Sequence, residues 1–312
     1  MEKRGGIEFS FSWLFAIIVG AFILFLAIYA LTKMTGSEEK LSDVEVSKSL
    51  GISLNLIETN FGTAFSTILN FPKETRIYNR CDNSGSFGGQ TIGISQKDFG
   101  KWSKTSQETT IQNRYIFSEK AIEGKNFYLF SKPFEFPFKV ADLIYLTPSS
   151  EIYCFIDAPE EIKEEIQELK NHNPNLNLAL EDCSESEETR KVCFEKSSCE
   201  IYVNYNEDYV KKDGEKMNFK TDALMYAAVF STKDVYECQL KRLMQRTEQL
   251  SNIYINKEDI ISKQGCSTEL NQKLIELKNS AKSLQDSSNL KNLYPISKEI
   301  ENINHYSACS LW

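Results

Sequence analysis

From Phe9 to Thr32 the chain reads FSFSWLFAIIVGAFILFLAIYALT, 24 residues without a charged side chain. As a helix this run spans about 36 Å, more than the ~30 Å hydrocarbon core of a bilayer. Trp13, Phe15, Ile17, Phe22, Phe25 and Ile28 put apolar groups on every side, so no polar stripe is left to face water. Such a segment predicts a transmembrane helix over 9–32, with Trp13 and Tyr29 near its ends, where amphipathic rings prefer the interface. A cleaved secretory signal has a shorter apolar region ending in a small-x-small site, whereas this run continues into Ala30-Leu31-Thr32-Lys33. A retained anchor is therefore expected.

Lys3 and Arg4 precede the run, and Lys33 alone follows it closely before Glu38 and Glu39. The positive-inside bias then places residues 1–8 in the cytoplasm and everything from Lys33 outside the cell membrane, with the lipid bilayer as a partner. The cysteines point the same way. Cys81, Cys154, Cys183, Cys193, Cys199, Cys238, Cys266 and Cys309 all lie beyond the run, and an even count confined to that part suits an oxidising compartment. No CxxC occurs, and only His172 and His305 exist to complete a zinc shell, so disulfides are expected and no metal site is.

Two pairings follow from local spacing. In KVCFEKSSCEIYV, β-rich runs flank Glu195–Ser198, so a hairpin predicts Cys193–Cys199. Cys238 and Cys266 stand about equally far on either side of Asn252, so an antiparallel helix pair reversing there predicts Cys238–Cys266. Cys81, Cys154, Cys183 and Cys309 would then pair among themselves, in an order the spacing does not settle.

The periodicities predict an α+β protein: an N-terminal transmembrane helix, then a mixed, mostly antiparallel sheet and a C-terminal helical part, braced by disulfides. A polar stalk at 33–40 leads to Leu50, Leu54, Ile57, Phe61, Phe65 and Ile68, a helical stripe giving a helix over 42–70 within a 33–70 segment. The β-rich ectodomain covers 71–220. In it, Phe134, Phe136, Phe138 and Val140 alternate with polar residues as one buried face, and Ile152–Ile156, Ile162–Leu169 and Leu176–Leu180 read strand-helix-strand. From Thr221 to Trp312 the chain is helical, with Ser231-x-x-Asp234 as a capping box and Leu270, Leu274, Leu277, Ala281 and Leu284 on one face.

Chemistry is sparse. Lys and Arg number 36 against 44 Asp and Glu, a net charge of −8 that excludes a broad nucleic-acid surface. The loop Asn83-Ser-Gly-Ser-Phe-Gly-Gly lacks both the P-loop Lys-Ser/Thr and the dinucleotide spacing and reads as a turn, so no cofactor is expected. His172 and His305 have no nucleophile motif beside them, and Glu160, Glu161, Glu164, Glu165 and Glu168 form a solvated helix face. No catalytic residue is indicated. Paired carboxylates need no linear motif, which keeps an extracytoplasmic hydrolase as a third reading.

The start of the chain, Met1-Glu-Lys-Arg-Gly-Gly-Ile-Glu-Phe-Ser, resembles the basic-glycine junction before the apolar run in archaeal class III signal peptides, which precede type IV pilins and archaellins. The resemblance covers about the first 30 residues. It implies cleavage between Gly5 and Gly6, leaving Glu8 third in the mature chain and Ser10 at the fifth position, where that family usually carries an acid. It also implies self-assembly of the apolar helix into a filament core. The whole chain resembles single-span surface proteins of small-genome archaea, a likeness that brings no activity. The leading expectation is a non-enzymatic cell-surface protein with a structural or binding role, in contact with the bilayer and other envelope proteins; a pilin-like filament subunit is the alternative.

Overall fold

Residues 222–230, DALMYAAVF, carry apolar groups on all sides of a helix, and a helix of that kind must be enclosed by other elements. The computed structural model, which describes residues 12–31, 65–103, 108–181, 183, 186–194, 199–266 and 268–312, shows how this is done. The chain divides into two units, Met1–Val46 and Ser47–Trp312. In the first, α1 (Ser12–Leu31) is a continuous helix, exposed along its length and long and apolar enough to cross a membrane.

In the second unit, β1 (Phe65–Asp82), β2 (Gly89–Asp98), β3 (Lys101–Trp102), β4 (Glu108–Ile111), β5 (Tyr115–Phe117), β6 (Ala121–Glu135) and β7 (Lys139–Pro148) make one sheet. Its order is β3-β2-β1-β6-β7-β5 with β4 beside β2, antiparallel except at β5–β7. The chain then forms β8 (Ile152–Ile156), α2 (Glu160–His172), β9 (Leu178–Leu180), β10 (Thr189–Cys193), β11 (Ile201–Asn204), β12 (Tyr209–Lys212) and β13 (Glu215–Asn218). Its second sheet runs β13-β12-β11-β10-β8-β9 and is parallel from β11 to β9, with α2 supplying the crossover that the parallel β8–β9 pair requires. The expected antiparallel character thus holds for the first sheet and gives way in the second.

The buried helix is α3 (Asp222–Phe230), whose residues from Ala223 to Phe230 are all buried. Thr221 caps it, its hydroxyl accepting from the Leu224 N–H at 3.3 Å. One side of α3 packs on β5, β6 and β7, the other on β12 and β13. Four further segments close the fold: α4 (Lys233–Lys263), α5 (Leu270–Lys282), a 3-10 turn at Ser287–Asn289 and α6 (Leu290–Tyr306). The β-rich and helical parts predicted as neighbours, 71–220 and 221–312, are therefore one body with α3 at its centre.

Other expectations also change. Residues 42–64 of the predicted helix lie outside the described residues, and its last positions, Phe65 and Ile68, are in β1, paired with Ser131 and Tyr128 of β6. Two apolar residues three apart fit a strand flanked by β-formers as well as a helix, and pairing decides. Pro72 sits where the β1–β6 register breaks between Asn70 and Thr75 and before β2 pairing begins, so its missing N–H leaves no ladder bond unmade. Phe134, Phe136, Phe138 and Val140 are buried, but they wrap around the β6–β7 turn closed by Glu135 and Lys139. The Ser231-Asp234 capping box does not form: Ser231 donates to the Ala227 carbonyl and Asp234 pairs with Lys120.

The four disulfides are Cys81–Cys238, Cys154–Cys183, Cys193–Cys199 and Cys266–Cys309, with Cα separations of 5.8 to 6.3 Å. The Cys238–Cys266 bond is excluded because α4 does not turn at Asn252. It runs unbroken from Lys233 to Lys263, which puts about 38 Å of helix axis between Cys238 and the helix end that precedes Cys266. Cys193 does meet Cys199, although β10 and β11 are parallel rather than a hairpin.

Cys81–Cys238 joins the first sheet to α4 beside a second clamp built on Arg242. This arginine is fully buried; its guanidinium donates to the carbonyls of Phe87, Ile111, Gln112 and Arg114 and to Gln239 Oε1, and lies 4.9 Å from the Tyr115 ring. Desolvation pulls its pKa below the usual arginine value. The glycine-containing loop at 83–89 is held against the same helix by Gln245, which donates to the Asn83 and Gly85 carbonyls, and by Gln249, which donates to that of Ser86. Gly88 is required there, because at φ +57° a Cβ would lie 2.5 Å from the Asp82 carbonyl oxygen. Replacing Arg242 by Met strands several buried acceptors, so Arg242→Met should lose about 3–5 kcal/mol in urea unfolding. Ile260→Ser on the exposed side of the same helix should stay within about 0.5 kcal/mol, and equal losses would refute the clamp.

Candidate functional site

The N-terminal end of α3 opens into a cleft of about 560 Å³ between the β6–β7 turn, the β11–β12 loop and α6. The tertiary fold brings its polar groups together from distant parts of the chain. Lys132 of β6 donates to both carboxylate oxygens of Glu165 on α2 at 2.6 Å and lies 4.0 Å from Asp222 Oδ2. The Tyr226 hydroxyl donates to Glu165 Oε2 at 3.3 Å, and the Tyr205 hydroxyl donates to Asp222 Oδ1 at 2.7 Å. Lys220 pairs with Asp208, and Lys298 with Glu301 at 2.8 Å. Both lysine ammoniums lie over the Tyr294 ring, each 5.7 Å from its centroid.

The electrostatics follow from this pairing. The carboxylates of Glu165, Asp222, Asp208 and Glu301 each engage a lysine or a tyrosine, while Glu135 stands exposed on the cleft wall, so carboxylates outnumber the lysines Lys132, Lys220 and Lys298 and the cleft is net negative. Burial, and then the bond to Asp222, pushes the Tyr205 phenol far above its ordinary value. Burial does the same to Tyr226, with Glu165 adding to it. Both phenols are fixed donors at neutral pH. A second chamber of about 500 Å³ adjoins the first and shares Glu135, Pro137 and Glu301 with it. There Phe138, Tyr254 and Trp312 form an aromatic cluster with ring centroids 4.6 to 5.4 Å apart.

The residues singled out in the sequence lie elsewhere, except His305 and Glu165. Gly5 and Gly6 are outside the described residues. His172 is exposed at the end of α2, its Nδ1 2.9 Å from the Glu168 carbonyl oxygen. His305 lines the second chamber, its ring edge-on to Tyr306. Among the acidic residues of α2, Glu165 turns inward to Lys132 instead of joining the solvated face. Among the described residues no cluster of three His, Cys, Asp or Glu side chains could hold a metal ion. Lys132, Tyr205, Asp222, Tyr294 and Trp312 were not visible as a set, since they are spread over 180 positions with no common spacing. The one local signal was Thr221-Asp222 before an apolar run. The chain matches no family model, no curated protein and no solved structure.

The buried phenols give a pH prediction. Tyr145, Tyr153, Tyr226 and Tyr236 are raised well above the ordinary value, in each case by burial first. Their folded values exceed the unfolded value of about 10, so the stability they contribute is full below about pH 10 and is lost as pH rises further. Tyrosinate absorbance from these four buried rings should therefore appear only at strongly alkaline pH, together with loss of near-ultraviolet circular dichroism. Ionisation of these four phenols at about pH 10 with the fold intact would contradict the burial described.

Proposed function

We propose that the chain is a single-span membrane protein whose disulfide-braced α+β domain sits outside the cell membrane and has a binding or structural role rather than a catalytic one. The observation that carries this reading is a pairing of opposites: a helix apolar on every side at Ser12–Leu31, and no free cysteine among the described residues of the rest. Lipid suits the first, and an oxidising compartment suits the second. The charge difference across the apolar helix, Lys3 and Arg4 before it against Lys33, Glu38 and Glu39 after it, orients the N-terminus to the cytoplasm.

The cleft at the start of α3 supports binding as the role. It is the place where the fold gathers lysines, carboxylates and phenols at one opening, with Glu165, Asp222, Asp208 and Glu301 each already engaged by a neighbouring lysine or phenol. A filament subunit shares the same orientation and rests on the N-terminal resemblance to class III signal peptides.

Protease treatment of intact cells should remove the region beyond Lys33, and a membrane-impermeant maleimide should find no thiol in it until a reductant is added. Protection of that region, or free thiols in native protein, would overturn the topology. Sequencing the mature N-terminus separates the two readings: Met1 or Glu2 is expected for an anchor, and Gly6 would assign the chain to filament subunits.

A further inference from the structure

Strand β2 turns into β3 through Phe99 and Gly100, since Asp98 pairs with Lys101 and Lys97 with Trp102. Both turn residues have positive φ, +45° at Phe99 and +79° at Gly100. Glycine takes that conformation freely, whereas a bulky side chain rarely adopts it, and turns of this kind favour Asn or Asp ahead of the glycine. Phe99 gains nothing inside the protein in return, because it is 100% exposed. A strained, fully exposed aromatic at a hairpin tip calls for a contact outside the chain. We propose that Phe99 inserts into the headgroup layer of the lipid bilayer, making the β2–β3 hairpin a second membrane contact; the inference rests on the single-span reading argued above and adds a lipid-binding surface to the folded domain.

Area decides between lipid and a protein partner. One phenylalanine buries about 150–250 Å². A stable protein interface needs ~800 Å² on each side. A bilayer needs no such area when the protein is already anchored in it. Residues 32–64, the connection from α1 to β1, span at most about 120 Å even when fully extended, so the domain cannot diffuse away from the membrane. A tethered group meets its surface at high effective concentration, and a small contact then suffices.

The surroundings of the ring suit headgroups. The run from Lys97 to Lys104, KDFGKWSK, holds three lysines, two aromatics and one acid in a chain whose net charge is −8. Lys97 and Lys101 are exposed on the two strands, and the Lys97 ammonium lies 5.6 Å from the centroid of the half-buried Trp102 ring. Long lysine stems let an ammonium stay at the phosphate level while a neighbouring ring goes deeper. Asp98 pairs with Lys73 at 3.4 Å, Arg76 pairs with Glu123 at 2.6 Å, and Glu74 on the adjoining stretch of β1 is exposed. With acids and bases this closely matched, the ring rather than net charge drives the contact, and uncharged lipid is the appropriate probe.

The test uses the full chain reconstituted in phosphatidylcholine vesicles. Phe99→Trp is read as the difference from the wild-type protein, because Trp13, Trp102 and Trp312 fluoresce in both. The difference emission should lie to the blue of an indole in water, and should lose intensity when lipid brominated near the top of its acyl chains replaces ordinary lipid. Quenching by aqueous acrylamide instead overturns the proposal. Protection from both quenchers also overturns it and assigns the tip to a protein surface, a second copy of this chain included. Phe99→Asn supplies a residue tolerant of positive φ, so the melting temperature in detergent micelles should equal or exceed that of wild type; a fall would make Phe99 a structural residue and overturn the proposal as well. Carbonate extraction of the same vesicles reads the anchor separately. Protein retained by carbonate with an unquenched Phe99→Trp indole leaves the single-span reading standing and removes the hairpin contact, and protein released by carbonate after its indole was quenched by lipid does the reverse.

Discussion

The fold depends on burying α3. An isolated helix of nine residues is too short to persist in water, and this one has no polar face with which to meet solvent. It survives because two sheets enclose it, and the sheets are held in one body because both rest on it. Phe130 and Tyr145 of the first sheet and Tyr153 and Phe155 of the second all reach Phe230 at ring-centroid distances of 4.8 to 6.5 Å. The phenol of Tyr145 donates to the Ala223 carbonyl at 2.8 Å, satisfying one polar group that burial would otherwise leave stranded. Because α3 is enclosed along its length, its first turn is where the polar chain leading into it meets solvent, and the cleft forms there.

That geometry explains what was legible in the sequence. Segments whose local pattern and final environment agree were readable: the apolar run of α1, the β8-α2-β9 unit with Ile162, Ile166 and Leu169 inward, and the stripe of α5 from Leu270 to Ala281. Segments decided by distant partners were not. Phe65 and Ile68 follow a helical spacing, yet β6 pairs with them; Asn252 looks like a reversal point, yet α4 continues through it with α5 packed alongside, Lys278 donating to Asn252 Oδ1. The Cys238–Cys266 expectation failed with that assumed turn.

The cleft was illegible for a further reason. Its polar residues carry no common spacing signal because they come from β6, α2, the β11–β12 loop, α3 and α6, and their pairing across these elements is an outcome of packing. Lys132 meets Glu165 only because β6 and α2 flank the same end of α3, and Tyr205 meets Asp222 only because the β11–β12 loop folds over the Thr221 cap. Sequence reading assigned Glu165 to a solvated face by its neighbours, and four of the five acids there do remain exposed or half-exposed without an inward partner of this kind. The exception is the position facing the first sheet.

The disulfides complete the same logic, because they are placed where the core has least hold. Cys154–Cys183 draws the segment after β9 back to the second sheet, Cys193–Cys199 closes the tight connection between two parallel strands, and Cys266–Cys309 fixes the end of α4 to the segment after α6. These join positions only 6 to 43 residues apart. Cys81–Cys238 differs in kind. It spans 157 residues and fastens the first sheet to α4, a connection for which chain-entropy reasoning gives about 5 kcal/mol, against about 2 kcal/mol for the shortest loop. It also lies beside the Arg242 clamp, so one junction between sheet and helix receives a covalent bond, a fully hydrogen-bonded guanidinium and the glutamine contacts to the loop at 83–89 together. Among the described residues, the end of β1 and the part of α4 from Cys238 to Gln249 are therefore held together by more than apolar packing.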